Sequence, residues 1–206
     1  MKKDLIILVA DQDTKNLLDG LLPRIHRIEN LREFTYDIRV HVNRDNGVLN
    51  DGASFLRNFL STHNFAIAIF DFEGCGQENT KTRGEIELSL ELKLVKHGWP
   101  SDNCVTIVIE PEVENWIWVN SPHLLSSIDW SMSEDIYQWL ENQKFISTGQ
   151  LKPTRPKEAF EAALRICGVA RSPALYKAIA SKASYKHCQE ASFWKLIGAL
   201  RTWFAQ

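Results

Sequence analysis

The chain has 206 residues, of which 44% are hydrophobic and 24% are charged, which is enough for a full hydrophobic core in about one domain. This composition excludes a disordered protein, and the apolar runs are too short for a membrane helix, which needs roughly 18 residues. We therefore expect a soluble, cytoplasmic protein without a secretory signal. The four cysteines lack the paired spacing of disulfide frameworks or zinc sites.

Charge is distributed unevenly along the chain, although the net charge is only −2. Residues 1–151 hold 14 basic and 23 acidic side chains, whereas residues 152–206 hold 10 basic and 3 acidic ones. A basic segment can bind nucleic-acid phosphates, but lysine and arginine also cover ordinary solvated helix faces. DNA or RNA is therefore a candidate partner of the C-terminal part.

Strand-like and helical segments alternate through the first half of the chain. Continuous or alternating apolar runs predict strands, and leucines or isoleucines at helical spacing predict helices. The predicted strands are 4–10, 34–42, 65–70 and 104–110, and the predicted helices follow at 13–25, 52–60 and 82–96. Such alternation indicates crossover connections, and hence an α/β fold with a mostly parallel, four-stranded sheet flanked by helices.

The pattern changes after Pro111, where only helical segments follow. We predict an α/β domain over residues 1–120 and a C-terminal α-helical lobe over residues 121–206, packed on that domain. Residues 149–157 contain a glycine, two prolines and three basic residues, and they are the best candidate for a connector between the two regions.

Acidic side chains follow three of the predicted strands. They are Asp11 after the first strand, Asp71 and Glu73 after the third, and Glu110, Glu112 and Glu114 after the fourth. The carboxyl ends of parallel strands lie at one edge of a sheet, where α/β proteins bind ligands. Carboxylates gathered there need a counter-ion, and Mg²⁺ or Mn²⁺ is suited to oxygen ligands.

Some of these acids also have structural explanations. Asp11 is placed to cap the first helix, and Glu112 and Glu114 follow a proline as acids in a first helical turn do. Asp71 and Glu73 lack such an explanation, because no helix is expected until about residue 80. This pair is therefore the strongest candidate for metal binding and catalysis.

Five basic side chains are candidate contacts for nucleic-acid phosphates. They are Arg44 after the second strand, and Lys152, Arg155, Lys157 and Arg171 in the basic C-terminal part. Arg44 has a second explanation as the ion-pair partner of its neighbour Asp45.

The order of the acids resembles the Toprim domain of topoisomerases, primases and overcoming-lysogenization-defect nucleases. The segments EPEVENWIW (110–118), RPKEAFEAAL (155–164) and HCQEASFWKLIGALRTWF (187–204) extend the resemblance across the chain, to a family of small, stand-alone Toprim-like proteins. That family is similar to the small accessory component of methylation-associated bacterial defence systems against phage.

The resemblance implies a magnesium-dependent, nuclease-like phosphodiesterase that acts on DNA or RNA together with other defence-system proteins. Its catalytic residues would be Asp11, Asp71 and Glu73, and its metal ligands Asp71, Glu73 and the acids after the fourth strand. The chain departs from the Toprim pattern in two places. VADQD (9–13) stands where a Glu-Gly is usual, so that Asp11 would replace the general base, and Glu73 stands where a second Asp is usual.

Both departures keep oxygen ligands for a metal, but the shorter Asp11 would have to lie within about 3 Å of the proton that it takes. The alternative is a non-catalytic module that keeps the fold and binds nucleic acid or a partner protein.

Overall fold

The computed structural model describes residues 2–119, 121–186 and 188–206. Within these ranges the strands are β1 (Lys3–Val9), β2 (Tyr36–Val40), β3 (His63–Asp71) and β4 (Cys104–Ile109). The helices are α1 (Gln12–Glu29), α2 (Arg44–Arg57), α3 (Arg83–Lys96), α4 (Glu114–Ile117), α5 (Pro122–Ser127), α6 (Ile136–Asn142), α7 (Pro156–Cys167), α8 (Pro173–Ala180) and α9 (Ala191–Phe204). None of them is both long enough and apolar enough to cross a membrane.

The four strands form one sheet in the order β2-β1-β3-β4, and every neighbouring pair is parallel. The predicted α/β fold with a parallel sheet flanked by helices is confirmed. From β1 the chain moves outward to β2, then crosses back over β1 to β3. The strand order therefore reverses between β1 and β3, and the carboxyl ends of these two strands border the crevice where such folds bind ligands.

Both faces of the sheet are buried, which explains the continuous apolar runs of β1 and β3. Because successive side chains of a strand point to opposite faces, Leu5, Ile7 and Val9 enter one hydrophobic core, and Ile6 and Leu8 enter the other. The second core is completed by α2 and α3. The first core is completed by α1 and by the helices that follow β4.

The C-terminal helices therefore pack directly on the sheet. Helix α8 lies against α1, and α9 lies against β4. The tryptophans Trp116 and Trp118 are fully buried in this core, so their role is packing. The predicted division of the chain at residue 120 stays a prediction, and Asn120 itself lies outside the described residues.

Apart from shifts of a few residues at the ends of other elements, such as α1, which continues to Glu29, two details differ from the sequence-based prediction. Helix α2 begins at Arg44 rather than at residue 52. Its first turns contain Asn, Asp and Gly, which have low helix propensity, but Val48 and Leu49 are buried in the second core and packing overrides that propensity. The short helix α5 was not predicted.

The outer edge of β4 is covered by side chains. Glu91 Oε1 accepts the backbone N–H of Thr106, and Glu87 Oε1 accepts that of Val108, each over 3.0 Å. Lys195 of α9 donates to both carboxylates, over 3.1 Å to Glu87 and 2.8 Å to Glu91. Glu87 and Glu91 are four residues apart on α3 and would repel each other, but Lys195 lies between their carboxylates. The two side chains also accept N–H groups that the edge strand would otherwise leave unpaired.

Candidate functional site

Asp71 is the last residue of β3 and borders the crevice. Its backbone N–H donates to Asp45 Oδ1 over 2.8 Å. Its own Oδ1 is sealed from solvent and has no hydrogen-bond partner among the described residues. Burial raises the pKa of Asp71 well above its ordinary value, and the charges of Asp45, Glu114 and Asp11 raise this pKa further. We call Asp11, Asp45 and Asp71 the acidic cluster.

The other two members of the acidic cluster begin helices. Asp11 is the N-cap of α1, and its Oδ1 accepts the backbone N–H of Thr14 over 2.8 Å, so its structural explanation is confirmed. Asp45 lies in the first turn of α2. Burial raises the pKa of Asp45, while the N–H of Asp71 lowers it in part. The cluster therefore joins the carboxyl ends of β1, β2 and β3, as strand order alone would require.

Glu114 of α4 is a buried carboxylate with protein partners. It is 1% exposed, and its Oε1 accepts the Tyr176 hydroxyl over 2.5 Å and Arg171 Nη2 over 3.1 Å. Burial raises the pKa of Glu114, while the Tyr176 hydrogen bond and the Arg171 charge lower it in part. The counter-ion of this acid is thus supplied by the C-terminal helices.

Arg171 contacts more groups than any other predicted phosphate ligand. It donates to Asp13 Oδ2 over 2.7 Å, to Glu161 Oε1 over 3.0 Å and, through Nε, to the Tyr176 hydroxyl over 2.8 Å. Burial alone would lower the pKa of Arg171, but Tyr176 and the surrounding carboxylates outweigh burial and raise it. Arg171 is therefore a permanent cation that ties α1, α4, α7 and α8 together.

Lys157 has the same relation to Glu112, with 3.4 Å between Lys157 Nζ and Glu112 Oε2. Burial raises the pKa of Glu112, and the charge of Glu114 adds to this effect. Two of the predicted metal ligands, Glu112 and Glu114, thus have a lysine or arginine of the same chain as counter-ion instead of a metal. The spacing of residues along the chain did not suggest this alternative.

The remaining predicted ligands, Glu73 and Glu110, are exposed. The backbone N–H of Glu73 donates to the Pro111 carbonyl over 3.0 Å, and the nearest cation to Glu110 is Arg83, at 3.9 Å. Within the part of the chain that the structure describes, no group of three or more His, Cys, Asp or Glu residues is placed to hold a metal ion. The five predicted ligands are therefore not gathered into one preformed coordination sphere.

A cavity of about 430 Å³ opens beside Asp11 at the carboxyl ends of β1 and β2. Its lining includes Asp11, Asp13, His41, Arg44, Lys157 and Arg171. The structure thus brings three of the five predicted phosphate contacts to one cavity, next to a predicted catalytic acid. The buried His41 accepts the backbone N–H of Asn43 through Nδ1 over 3.2 Å. A Cβ atom on Gly47 would lie 2.2 Å from that Nδ1, so only glycine fits there.

The four predicted phosphate contacts of the C-terminal part are already paired with carboxylates. Lys152 Nζ contacts Glu190 Oε1 over 2.7 Å, and Arg155 contacts Glu158 over 2.8 Å. With Lys157 and Arg171 also paired, a phosphate at any of the four would compete with a carboxylate of the same chain. Arg44 differs, because it is exposed and forms no ion pair with another residue in the described part of the chain.

The turn after β3 is shaped by two glycines, Gly74 with φ +89° and Gly76 with φ +84°. These values favour glycine because an L side chain would be strained there. The pKa of Glu78 is lowered by its own backbone N–H and by those of Gly76 and Gly74. The glycines therefore wrap the turn around the Glu78 carboxylate.

Sequence reasoning treated Asp45 only as a partner for Arg44 and not as a site residue, and it missed Tyr176 altogether. Asp45 had a signal, since it follows the second strand closely and any acid at that position reaches the same edge of the sheet. Tyr176 had none, because it lies 62 residues from its partner Glu114 in a segment without strands.

Comparisons of the chain with models of protein families, with curated proteins and with solved structures find no match. The Toprim-like resemblance and the role in defence therefore stay predictions, and the site geometry is the basis for a functional proposal.

Proposed function

We propose that the protein is a magnesium-dependent, Toprim-like component of a bacterial defence against phage, and that it processes phosphodiesters of DNA or RNA. The observation that supports this proposal best is the Oδ1 atom of Asp71. It is sealed from solvent, lacks a partner among the described residues, and lies at the crevice with two further carboxylates near it. Such an arrangement disfavours the ionised carboxylate, and above the pKa of Asp71 a bound cation can neutralise it in place of a proton.

The carboxylates of the acidic cluster have the chemistry that a hard divalent cation prefers, but in this structure the three described side chains do not form a preformed coordination site, so a cation would have to draw them together. Asp71 Oδ1 would be one ligand, and Asp45 offers a further carboxylate oxygen, which Mg²⁺ prefers. Glu112 and Glu114 would take part only by exchanging Lys157 or Arg171 for the metal, and ligation by the exposed Glu73 and Glu110 stays a prediction. A bound Mg²⁺ would supply charge neutralisation for a phosphate group.

The chain's own residues have distinct roles in this proposal. Arg44, exposed at the rim of the cavity, would attract and orient a phosphate through its planar guanidinium. Asp11 Oδ1 accepts the Thr14 N–H. The other carboxylate oxygen of Asp11 would therefore accept the proton from an attacking water. Lys157 and Arg171 hold the acidic wall of the cavity in place.

A second candidate function is a non-catalytic module that binds nucleic acid or a partner protein. It is favoured by the pairing of Glu112 with Lys157 and of Glu114 with Arg171, because protein cations occupy positions that a catalytic metal site would leave to the metal. The two functions make different predictions about divalent cations.

The test is a thermal melt with and without Mg²⁺ or Mn²⁺, combined with a cleavage assay on single- and double-stranded DNA and RNA. At about 100 times the dissociation constant a bound cation adds about 2.7 kcal/mol, which raises the melting temperature of a chain of this size by roughly 5–10 °C. We expect this rise and cleavage in the wild type, and neither in Asp71→Asn.

The control is Asp51→Asn, which removes an exposed acid from α2 and should keep the rise. If neither Mg²⁺ nor Mn²⁺ changes the melting temperature of the wild type, the proposal is contradicted. Nucleic-acid binding without cleavage would then support the non-catalytic module.

A further inference from the structure

Helix α3 is apolar on two opposite sides. Ile86, Leu90 and Leu94 are fully buried in the second core. On the other side, Leu88 is 57% exposed, Leu92 is 54% exposed and Val95 is 42% exposed. The exposed residues follow helical spacing and form one continuous stripe. Six of the 14 residues of α3 are charged, and the stripe is an apolar strip between them. Apolar side chains aligned in this way on one helix face are typical of a helix-packing surface, and this one lacks a cover in the isolated chain.

The neighbouring sheet edge restricts what can cover this face. The backbone N–H groups of Thr106 and Val108 are already bonded to side chains of α3. A partner therefore cannot extend the sheet from β4 through these groups, which excludes one common mode of association on this side. The remaining mode is packing against the helix itself.

The charges along the stripe indicate what kind of helix fits. Exposed Glu85 lies near the N-terminus of α3 and exposed Lys96 at its C-terminus, about 16 Å apart at the rise of an α-helix. A second α3 in antiparallel orientation would place Glu85 opposite Lys96 of the partner subunit at both ends. Leu88 would then meet Leu92 of the partner subunit near the centre.

The small residue Gly84 supports the same arrangement. No atom lies within 4 Å of a Cβ atom built on Gly84, so the bare start of α3 leaves room for a side chain from the opposite helix. In the antiparallel register that places Leu88 level with Leu92, Val95 of the partner subunit lies within one residue of Gly84 along the helix axis, on the same face as the stripe. Apolar contacts, charges and the space at Gly84 thus all agree with one two-fold axis near Leu90.

We infer that a second copy of this chain covers the exposed stripe, with the two α3 helices antiparallel about a two-fold axis. Two-fold pairing of identical patches is the commonest form of self-association. A single helix of 14 residues gives a contact about 21 Å long, smaller than a standard stable interface. The dimer is therefore concentration-dependent, and its formation does not rest on the proposed catalytic function.

Sedimentation equilibrium of the full chain from ~1 µM to ~200 µM tests the dimer. We expect a reversible monomer–dimer equilibrium whose dissociation constant rises at least about tenfold in Leu88→Asp. Ile166→Asp is the matched control, because Ile166 is also helical and 45% exposed but lies on α7, and it should leave the equilibrium unchanged. Circular dichroism checks that each variant is folded.

Charge reversal tests the orientation. Glu85→Lys and Lys96→Glu should each weaken the dimer, and the double variant should restore it, since each end then regains an opposite pair. Loss of the capping contact between Glu85 and Thr82 weakens the helix in both variants that carry Glu85→Lys, so it cannot produce this restoration. A wild-type monomer at every concentration, a dimer that Leu88→Asp leaves intact, or a double variant without restoration would each overturn the inference.

Discussion

Asp71 is held at the end of β3 by contacts that leave its Oδ1 unused. Its N–H is bound by Asp45, and the backbone N–H of Val113 lowers the pKa of its carboxyl in part. Burial and the neighbouring acids outweigh this contact, so ionisation of Asp71 is unfavourable in the native state. A residue that lowers the stability of the fold in this way is a candidate for function, since selection retains destabilising residues chiefly where activity requires them.

The resulting pH dependence of stability can be measured. The folded-state pKa of Asp71 lies above the ordinary value of 3.8, so the native protein binds this proton more tightly than the unfolded chain does. The stabilisation is therefore full below pH 3.8 and is lost as pH rises through the folded-state pKa. In urea unfolding without metal, the free energy of unfolding of Asp71→Asn relative to the wild type should increase from pH ~4 to ~7.

Asp51→Asn, the exposed control, should show a difference from the wild type that does not change with pH. If Asp71→Asn is less stable than the wild type throughout this range, the carboxylate of Asp71 is a structural hydrogen-bonding group, and the main support for the proposed site is lost.

At the scale of elements, α3 carries two unrelated functions on different sides. One side fills the second core, and another supplies Glu87 and Glu91 to the edge of β4. Lys195 joins this edge to α9 on the other face of the sheet. Because these side chains occupy the N–H groups of Thr106 and Val108, another strand cannot pair with β4 through them. On this side of the molecule the exposed stripe of α3 is the surface that we propose for association.

The edge contact predicts a specific change in amide exchange. Glu91→Ala removes the acceptor of the Thr106 N–H, and a buried donor left without a partner costs about 1–3 kcal/mol. We expect lower stability by that amount and faster hydrogen exchange at the Thr106 amide, measured by NMR. Glu91→Gln keeps an acceptor oxygen and should exchange more slowly than Glu91→Ala. Equal exchange rates in the wild type and both variants would show that Glu91 does not protect the edge.

At the scale of the whole molecule, helix α9 packs against the sheet beside the N-terminal half of the chain. Phe204 is fully buried and stacks on Phe34 with 4.3 Å between ring centroids, while its centroid lies 5.5 Å from that of Phe65. The end of α9 thus packs beside the starts of β2 and β3. A core shared in this manner favours one cooperative unfolding transition over two.

Phe204→Ala tests this cooperativity and the predicted division at residue 120. Removing a buried phenylalanine costs about 3–5 kcal/mol. In urea unfolding of the wild type, circular dichroism and tryptophan fluorescence should report the same midpoint. In Phe204→Ala, both probes should report a midpoint at the same lower urea concentration. Two transitions, of which only one moves in the variant, would instead indicate an α/β domain and a helical lobe that unfold independently.

The sequence by itself determined the strand and helix types, the parallel sheet and the placement of Asp11 and Asp71 at its edge. These features depend on local patterns: apolar runs of strand length, helical spacing of leucines, and acids directly after strands. Capping is equally local, as in the reciprocal contacts between Thr82 and Glu85 at the start of α3.

Only the tertiary structure decided which charges meet. Arg171 lies 57 residues from Glu114 and 158 residues from Asp13, and Lys195 lies 104 residues from Glu91. Composition counts the cations of the C-terminal part but not their partners. The four cations that we predicted as phosphate contacts there are all paired with carboxylates of the same chain. The physical reason is that an ion pair depends on distance and burial after packing, neither of which is encoded in the spacing of residues along the chain.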